Sequence, residues 1–285
     1  MKFRLLGLLL VIVGVWSCQS DGGSGNPTLP SGYEYILHTP DNTGRPTEVD
    51  ALAFMRVGLR NGETLVNSNY DSPFPQMQAI PNPVEGQVLP PWVEALMIMK
   101  EGDSLTIIVP LDTIPVEQRP QGFETAENLF YDISLKEIKL KADVDAEVKS
   151  KEEITNANID AYNAGTIEGL QTTESGLKYV ILEEGTGETP VVGDFVYVNY
   201  FGSLTTNKFN FDNSFKRGTP FPFQLGKGQV IRGWDEGIAL LPVGSEAVFF
   251  IPAELGYGEG GSPPVIPANA ELAFYVQLIS KVAPE

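Results

Sequence analysis

An internal repeat constrains the fold of this chain more than any other feature of its sequence. VLPPWVEALMIMKEGDSLTIIVP, which begins at Val88, aligns without a gap on VIRGWDEGIALLPVGSEAVFFIP, which begins at Val230. Trp92 then falls on Trp234, and a second pair of segments, LFYDISL and LAFYVQL, follows each copy at a matching place. Because the similarity extends through separate segments in the same order, the sequence predicts two copies of one fold.

Each copy of the repeat is typical of a short helix that lies close to a sheet. Trp234, Ile238 and Leu241 recur at helical spacing, so they would share one buried face. The letters PVG would end that helix, and EAVFFI then alternates as a strand does. In VYVNYFG and LAFYVQL, the same two-residue period places Tyr200 and Phe274 on the inward face of the sheet.

The repeat divides the chain into two predicted domains, at 33–140 and 176–285, joined by a helical linker at 141–175. Ser150 and Glu153 have the spacing of a capping box, which predicts a helix of about 14 residues that ends near Gly165. The KSKEE run is equally consistent with a solvated spacer and with a helix that docks on either domain.

The N-terminus predicts export and a lipid anchor. Lys2 and Arg4 precede an apolar stretch that is shorter than the roughly 20 residues of a membrane span, so residues 1–17 are interpreted as a secretory signal peptide. Cys18, the only cysteine, follows it directly and is predicted to carry lipid, with 18–32 as a flexible tether. An outer-membrane lipoprotein that faces the periplasm is the expected location. Surface exposure, an ordinary signal peptide and a buried strand stay open.

Charge and residue usage exclude several classes of function. The formal net charge of −18 would repel nucleic acid, so no nucleic-acid partner is expected. His38 is the only histidine, so the second copy cannot complete a Ser-His-Asp triad and no histidine metal cluster exists. We therefore predict no cofactor and no metal.

Several short motifs occur in order along the second copy, from about Gly176 to Lys281: VNYFG, FDNS, GTPFPFQLGKG, VIRGWDEGIALLPVG, LGYG and IPANAELAFYVQL. This series resembles the FKBP-type peptidyl-prolyl cis-trans isomerases. The resemblance implies an α+β fold with two FKBP-like domains, each a twisted antiparallel β-sheet wrapped on a short α-helix. It also implies an isomerase that acts on proline-containing polypeptides, including unfolded exported proteins, and that binds macrolide inhibitors.

The resemblance implies a set of site residues when its motifs are carried over position by position. Those with a catalytic role would be Asp212, Tyr257, Phe211, Trp234 and Phe274. Those that bind substrate would be Tyr200, Arg217, Phe221, Val230, Ile231, Val265 and Ile266. Taken singly, each is better explained as an ordinary core, turn or loop residue; as a set at the family's spacing, they favour one pocket.

An apolar pocket suits this reaction because twisting an Xaa-Pro amide breaks no bond to the substrate. The barrier of about 18–20 kcal/mol reflects lost resonance, and an apolar cage removes the water that favours the planar, dipolar amide. The backbone N–H of Ile231 and the hydroxyl of Tyr257 would hold substrate carbonyls, and Asp212 would orient the twisting group. A protein that grips extended polypeptide without turnover is the alternative, since binding and catalysis would share the pocket.

The first copy is predicted to keep the fold and to lose the site. Tyr131 takes the place of Phe274, and no LGYG follows Pro110. With the RVG of FMRVG aligned on YFG, three residues of the first copy fall on site residues of the second: Arg56 on Tyr200, Val66 on Phe211 and Asn67 on Asp212. An arginine there would bring a charge into a small apolar cage, where desolvation is costly.

Overall fold

The computed structural model describes residues 25–38, 43–84, 86–112 and 114–283. The predicted signal peptide and Cys18 lie outside the described residues. None of the helices in the described ranges combines the length and the apolar character needed to cross a membrane.

We define the N-terminal domain as residues 25–140, and its described residues form six strands and one α-helix. The strands are β1 (Glu34–Leu37), β2 (Ala51–Asn61), β3 (Thr64–Ser68), β4 (Gln76–Ala79), β5 (Ser104–Pro110) and β6 (Asn128–Leu140), and the helix is α1 (Pro91–Ile98). They form one antiparallel sheet in the order β1-β5-β6-β2-β3, and β4 pairs with β2.

The C-terminal domain, residues 166–283 as described, contains a sheet of seven strands and one short α-helix. The strands are β7 (Gln171–Thr172), β8 (Lys178–Glu183), β9 (Phe195–Leu204), β10 (Asn210–Asn213), β11 (Phe221–Gln224), β12 (Glu246–Ile251) and β13 (Leu272–Val282), and the helix is α3 (Arg232–Ile238). Their order is β10-β9-β13-β12-β8-β7, and β11 pairs with β9.

The two sheets share one strand order, which confirms the predicted fold class. Strands β1, β5, β6, β2, β3 and β4 correspond to β8, β12, β13, β9, β10 and β11, and α1 corresponds to α3. Only β7, at the edge of the second sheet, has no counterpart among the described strands of the first. The repeated sequence therefore folds into a repeated architecture.

Helix α3 packs against the concave face of its sheet as its spacing predicts. Trp234, Ile238 and Leu241 are all buried in one cluster with Phe249 and Phe274. The helix has only seven residues and ends before Leu241. A buried face on so short a helix is held by the sheet, because an isolated helix of this length is unstable in water.

The linker helix α2 is longer than predicted. It spans Lys141–Asn163, 23 residues, and begins directly after β6 ends at Leu140. Ser150 lies inside the helix, so the predicted start at Ser150 is wrong. Lys, Ala and Glu among the preceding residues favour a helix, and the burial of Val144 holds these turns against the rest of the protein.

Helix α2 docks on the outer face of the C-terminal sheet. Ile159 is fully buried against that face, and the Tyr162 ring stacks on Phe250 with ring centroids 4.1 Å apart. The Lys151 ammonium donates to the Tyr275 hydroxyl at 2.8 Å. This docking explains why both faces of β12 are apolar, where a half-exposed strand would alternate with polar residues.

The N-terminal domain also contacts the C-terminal domain directly. The rings of Phe74 and Tyr197 lie 5.1 Å apart, and Phe54 and Met77 pack on Gly218. The C-terminal sheet is therefore contacted by α2 and, at its β9–β11 side, by the first copy of the fold.

Candidate functional site

A cavity of about 230 Å³ opens on the concave side of the C-terminal sheet, above helix α3. Its lining is mostly aromatic: Tyr200, Phe211, Asp212, Phe221, Gln229, Val230, Ile231, Trp234, Tyr257 and Phe274. Trp234 is at its centre, with ring centroids 5.1 Å from Tyr200 and 5.3 Å from Phe274, both edge-on. Edge-on aromatic packing of this kind holds rings in fixed positions.

Strand pairing explains how the rings reach one place. Tyr200 pairs with Val276 and Gly202 pairs with Phe274, so alternate residues of β9 and β13 point into the cavity. Gly202 has no room for a side chain, because a Cβ there would lie 2.6 Å from the Phe274 ring and 2.7 Å from the Phe211 ring. The missing side chain lets these two rings meet edge-on at 5.4 Å.

The polar side of the cavity is a hydrogen-bonded set of three side chains. The Tyr200 hydroxyl donates to Asp212, and Arg217 donates to Asp212 Oδ1 at 2.7 Å and to the Tyr200 hydroxyl at 2.6 Å. Burial and the bond to Asp212 raise the pKa of Tyr200 to about 12. Burial lowers the pKa of Arg217, but its bonds to Asp212 and Tyr200 outweigh that effect and raise it. Tyr200 and Arg217 thus stay protonated and hold Asp212 in place.

Two hydrogen-bond donors at the cavity have no protein acceptor among the described residues. They are the backbone N–H of Ile231, at the N-terminus of α3, and the hydroxyl of Tyr257. Burial and the charge of Asp212 raise the pKa of Tyr257, so this hydroxyl stays protonated at neutral pH. Both donors are available to a ligand carbonyl, as the sequence predicts. The buried indole N–H of Trp234 also lacks a partner in the described part of the chain.

Most of the predicted site residues line the cavity, and three do not. Arg217 lies behind Asp212 and Tyr200 and contacts the cavity through them. Val265 is exposed and Ile266 is buried in the hydrophobic core beside the site. Gln229 lines the cavity and was missed; it directly precedes the VIRGW motif, and its Oε1 accepts the Gln224 N–H at 2.9 Å. That position in the motif is the signal that could have found it.

Within residues 25–38, 43–84, 86–112 and 114–283, no group of three or more His, Cys, Asp or Glu side chains is arranged to hold a metal ion.

The strand register of the N-terminal domain corrects one predicted equivalence. Ile133, the counterpart of Val276, pairs with Val57, so Val57 and not Arg56 corresponds to Tyr200. Arg56 instead corresponds to Asn199 on the outward face, where it donates to the carbonyl oxygens of residues 69, 70 and 72. The prediction of an arginine inside the cage is therefore wrong, because aligning the glycines of the two motifs shifted β2 by one residue.

The equivalences of Val66, Asn67 and Tyr131 hold. Val66 lies at the register shift between Leu65 and Asn67, as Phe211 lies at the shift between Asn210 and Asp212. Asn67 pairs with Leu59 as Asp212 pairs with Gly202, so Asn67 stands in the place of Asp212. Tyr131 pairs with Leu59 and thus stands in the place of Phe274. Leu59 takes the position of Gly202 in this copy, which puts a branched side chain where the Phe211 and Phe274 rings meet in the second copy.

The corresponding cavity of the N-terminal domain has lost its aromatic walls. It is lined by Val57, Leu59, Asn67, Ser68, Asn69, Gln76 and Tyr131. Trp92 is half-buried and stacks on Tyr131 at 5.9 Å with an angle of 22° between the rings, where Trp234 meets Phe274 edge-on. Leu89, the counterpart of Ile231, does not line it. The cavity therefore has neither the free N–H that corresponds to Ile231 nor a counterpart of Tyr257.

The fold and the cavity define a class of protein: an α+β domain whose antiparallel sheet holds an aromatic pocket over a short helix. The model of the FKBP-type peptidyl-prolyl cis-trans isomerase family matches residues 186–279. The chain is 50% identical over 105 residues to FK506-binding protein 1 of Dictyostelium discoideum, of which it covers 97% and which covers 37% of this chain. It therefore belongs to the FKBP-type peptidyl-prolyl cis-trans isomerase family.

Two further similarities concern bacterial proteins that are longer than this Dictyostelium relative. The chain is 46% identical over 153 residues to the FKBP-type isomerase FkpA of Aeromonas hydrophila, which is 53% of each chain. It thus spans about half the length of this relative. The crystal structure of FkpA from Escherichia coli superposes with a TM-score of 0.40 at 36% identity, over 50% of this chain and 66% of that one.

Proposed function

We propose that the protein catalyses cis-trans isomerisation of Xaa-Pro bonds in polypeptides, at the C-terminal cavity alone. The observation that carries this proposal is the aromatic cavity above α3, in which a charged carboxylate and two unpaired donors lie around an otherwise apolar floor. A proline ring and the two carbonyls that flank it match this arrangement in size and polarity.

The proposed mechanism relies on desolvation and positioning, without an acid or a base that transfers a proton. The rings of Trp234, Phe221 and Phe274 would surround the proline and exclude water, which solvates the planar amide better than the twisted one. The N–H of Ile231 and the hydroxyl of Tyr257 would hold the substrate carbonyls. Each 1.36 kcal/mol of preference for the twisted state is a tenfold gain in rate, so a few such contacts suffice for a useful enzyme.

Asp212 would act on the twisting carbonyl through its charge. Its carboxylate already accepts hydrogen bonds from Tyr200 and Arg217, so its orientation is set before substrate arrives. A group that is held in place pays no reorganisation cost at the moment of reaction.

An isomerisation assay on an Xaa-Pro tetrapeptide with the full chain tests the proposal. We expect a rate well above the uncatalysed reaction. If the rate equals background while the protein still binds a permanently unfolded polypeptide, the alternative function holds: a binding protein that grips extended chains without turnover.

We also propose that the cavity binds macrolides of the kind for which the relatives are named. FK506 should compete with the tetrapeptide, because it would occupy the same aromatic floor. Inhibition that reaches completion with one equivalent of FK506 would support a single active cavity in the chain; uninhibited turnover would contradict this assignment.

We further propose that the protein acts on exported proteins from a lipid anchor at the periplasmic face of an outer membrane. The support is the sequence pattern of residues 1–18, a signal-like segment followed by Cys18. Replacing Cys18 by Ala should move the protein from the membrane fraction to the soluble fraction. Unchanged fractionation would count against the anchor.

A further inference from the structure

The three-residue 3₁₀ turn Phe215–Arg217 and the Gly218 that follows it contact the active cavity, helix α2 and the N-terminal domain. We call it the Arg217 turn. It follows β10, which carries Asp212, and precedes β11, which carries Phe221. Its three faces contact three different neighbours, which the next paragraphs describe in turn.

Its first contact is with the active cavity. Arg217 donates to Asp212 and to the Tyr200 hydroxyl, and its guanidinium lies 5.4 Å from the centre of the Tyr200 ring. The position of this side chain depends on the turn, because Arg217 makes no other hydrogen bond from its guanidinium among the described residues. A shift of the turn would therefore move the group that orients Asp212.

Its second contact is with helix α2. Phe215 is buried between the helix and the sheet, with the Lys151 ammonium 5.9 Å from its ring centre and the Tyr275 ring 6.1 Å away. This side of the turn is anchored within the hydrophobic cluster that α2 forms with the C-terminal sheet.

Its third contact is with the N-terminal domain. Gly218 adopts a left-handed conformation with φ of +64°, and a Cβ there would lie 2.6 Å from Phe54 Cζ and 3.0 Å from Met77 Sδ. Phe54 points away from its own core, since its neighbours Ala53 and Met55 point inward, yet it is only 2% exposed. Its burial comes from contacts outside the core of its own domain, and the Gly218 backbone is one of them.

We propose that Phe54 and Met77 are positioning residues for the active site of the other domain. They hold the Arg217 turn against Asp212 and Tyr200, so the first copy of the fold acts on catalysis through contact although its own cavity has lost the site. This inference rests on the proposed isomerase function. Failure of this inference is distinguishable from failure of the proposed function, because the wild-type protein would then be active and substitution of Phe54 or Met77 would not change its rate.

The test compares variants of the full chain in the tetrapeptide assay. Phe54→Ala should lower kcat about fivefold with little change in KM, because Arg217 would orient Asp212 for the twisted state and not for the bound ground state. Met77→Ala should also lower kcat. Phe54→Leu, which keeps a large apolar side chain at this position, should retain most of the wild-type rate. Phe130→Ala is the matched control: it lies on the same sheet, its ring is 5.2 Å from the Arg60 guanidinium, and it should leave kcat unchanged.

A double-mutant cycle with Arg217→Ala decides between positioning and a general loss of stability. If Phe54 acts through Arg217, Phe54→Ala should change kcat by less than about 1.5-fold in the Arg217→Ala background. An equal loss in both backgrounds, or no loss in the wild-type background, would overturn the inference. Should Phe54→Ala melt below the assay temperature, Met77→Ala in the same cycle decides by the same criteria. A wild-type protein without activity would instead contradict the proposed function.

Discussion

Asp212 is the charged group of the active cavity, and its side chain is 48% exposed. Because it contributes little to the core, Asp212→Ala should lower kcat/KM by about tenfold or more while it changes the melting temperature only slightly. Peptide isomerisation and thermal unfolding of the same samples measure the two effects. Asp160→Ala, which removes an exposed carboxylate from α2, is the control and should change neither. A large fall in melting temperature with Asp212→Ala would show that the residue is structural.

The pH dependence of activity follows from the hydroxyls at the site. The pKa of Tyr200 is raised to about 12 and that of Tyr257 is raised by burial, so both remain protonated donors at neutral pH. No histidine lines the cavity. We therefore expect kcat/KM to be flat from about pH 6 to about pH 8. A bell-shaped profile over this interval would mean that another group titrates in the mechanism.

The raised pKa of Tyr200 also determines how the stability of the protein changes at alkaline pH. Since the pKa of Tyr200 is raised from 10.0 to about 12 by folding, the native state keeps a proton that the unfolded chain releases. The resulting stabilisation is fully present below the unfolded pKa and is lost as pH rises through the folded pKa. The free energy of unfolding, measured in urea, should therefore decrease between pH 10 and 12, and Tyr200→Phe should reduce that decrease.

Part of the cavity follows from the sequence itself, through strand alternation and the spacing of one short helix, and the other cavity residues follow only from the resemblance to the isomerase family. Tyr200 and Phe274 point inward as the two-residue period predicts. The alignment of the two copies is wrong at Arg56, because a strand shifted by one residue exchanges its two faces and the local sequence gives no sign of the shift. The resemblance also implies substrate contact for Arg217, whereas the structure places it behind Asp212 and Tyr200.

At the scale of elements, helix α2 belongs to the C-terminal domain in its packing. Ile159 is fully buried against the sheet, so Ile159→Ala should destabilise that domain by about 2–4 kcal/mol through the cavity it leaves. Glu152 is exposed on the same helix, and Glu152→Ala should stay within about 0.5 kcal/mol of wild type. Urea unfolding of residues 141–285, in which Trp234 is the only tryptophan, measures both by fluorescence. An Ile159→Ala value as small as the control would mean that the helix is undocked in solution.

The sequence predicted a helix here but neither its start nor its place. The capping pattern at Ser150 is a local signal that fits several positions of a polar helix, and the true start at Lys141 is set by the end of β6. Docking of the helix depends on the apolar outer face of the C-terminal sheet. Phe250 and Tyr275 on that face were visible in the sequence, but nothing in it says which helix covers them.

At the scale of the whole molecule, the two copies of the fold should differ in activity. Residues 141–285 expressed alone should isomerise the tetrapeptide, and residues 25–140 should not. The cavity of the first copy lacks most of the aromatic lining, the free N–H that corresponds to Ile231 and a counterpart of Tyr257. The second fragment starts at Lys141 so that α2 still covers its sheet. Comparable turnover by the first fragment would show that Asn67 and Tyr131 suffice for catalysis.

Strand β6 passes into helix α2 without an intervening residue: one ends at Leu140 and the other begins at Lys141. A helix of 23 residues is about 34 Å long, and this one is fixed to the second sheet along much of that length. No loop separates β6 from α2, and Phe74, Phe54 and Met77 of the first copy contact the second copy directly. We therefore expect the two halves to move together. In solution, both sheets should tumble with one rotational correlation time, so the pocket keeps a fixed direction relative to the N-terminal domain as the molecule turns.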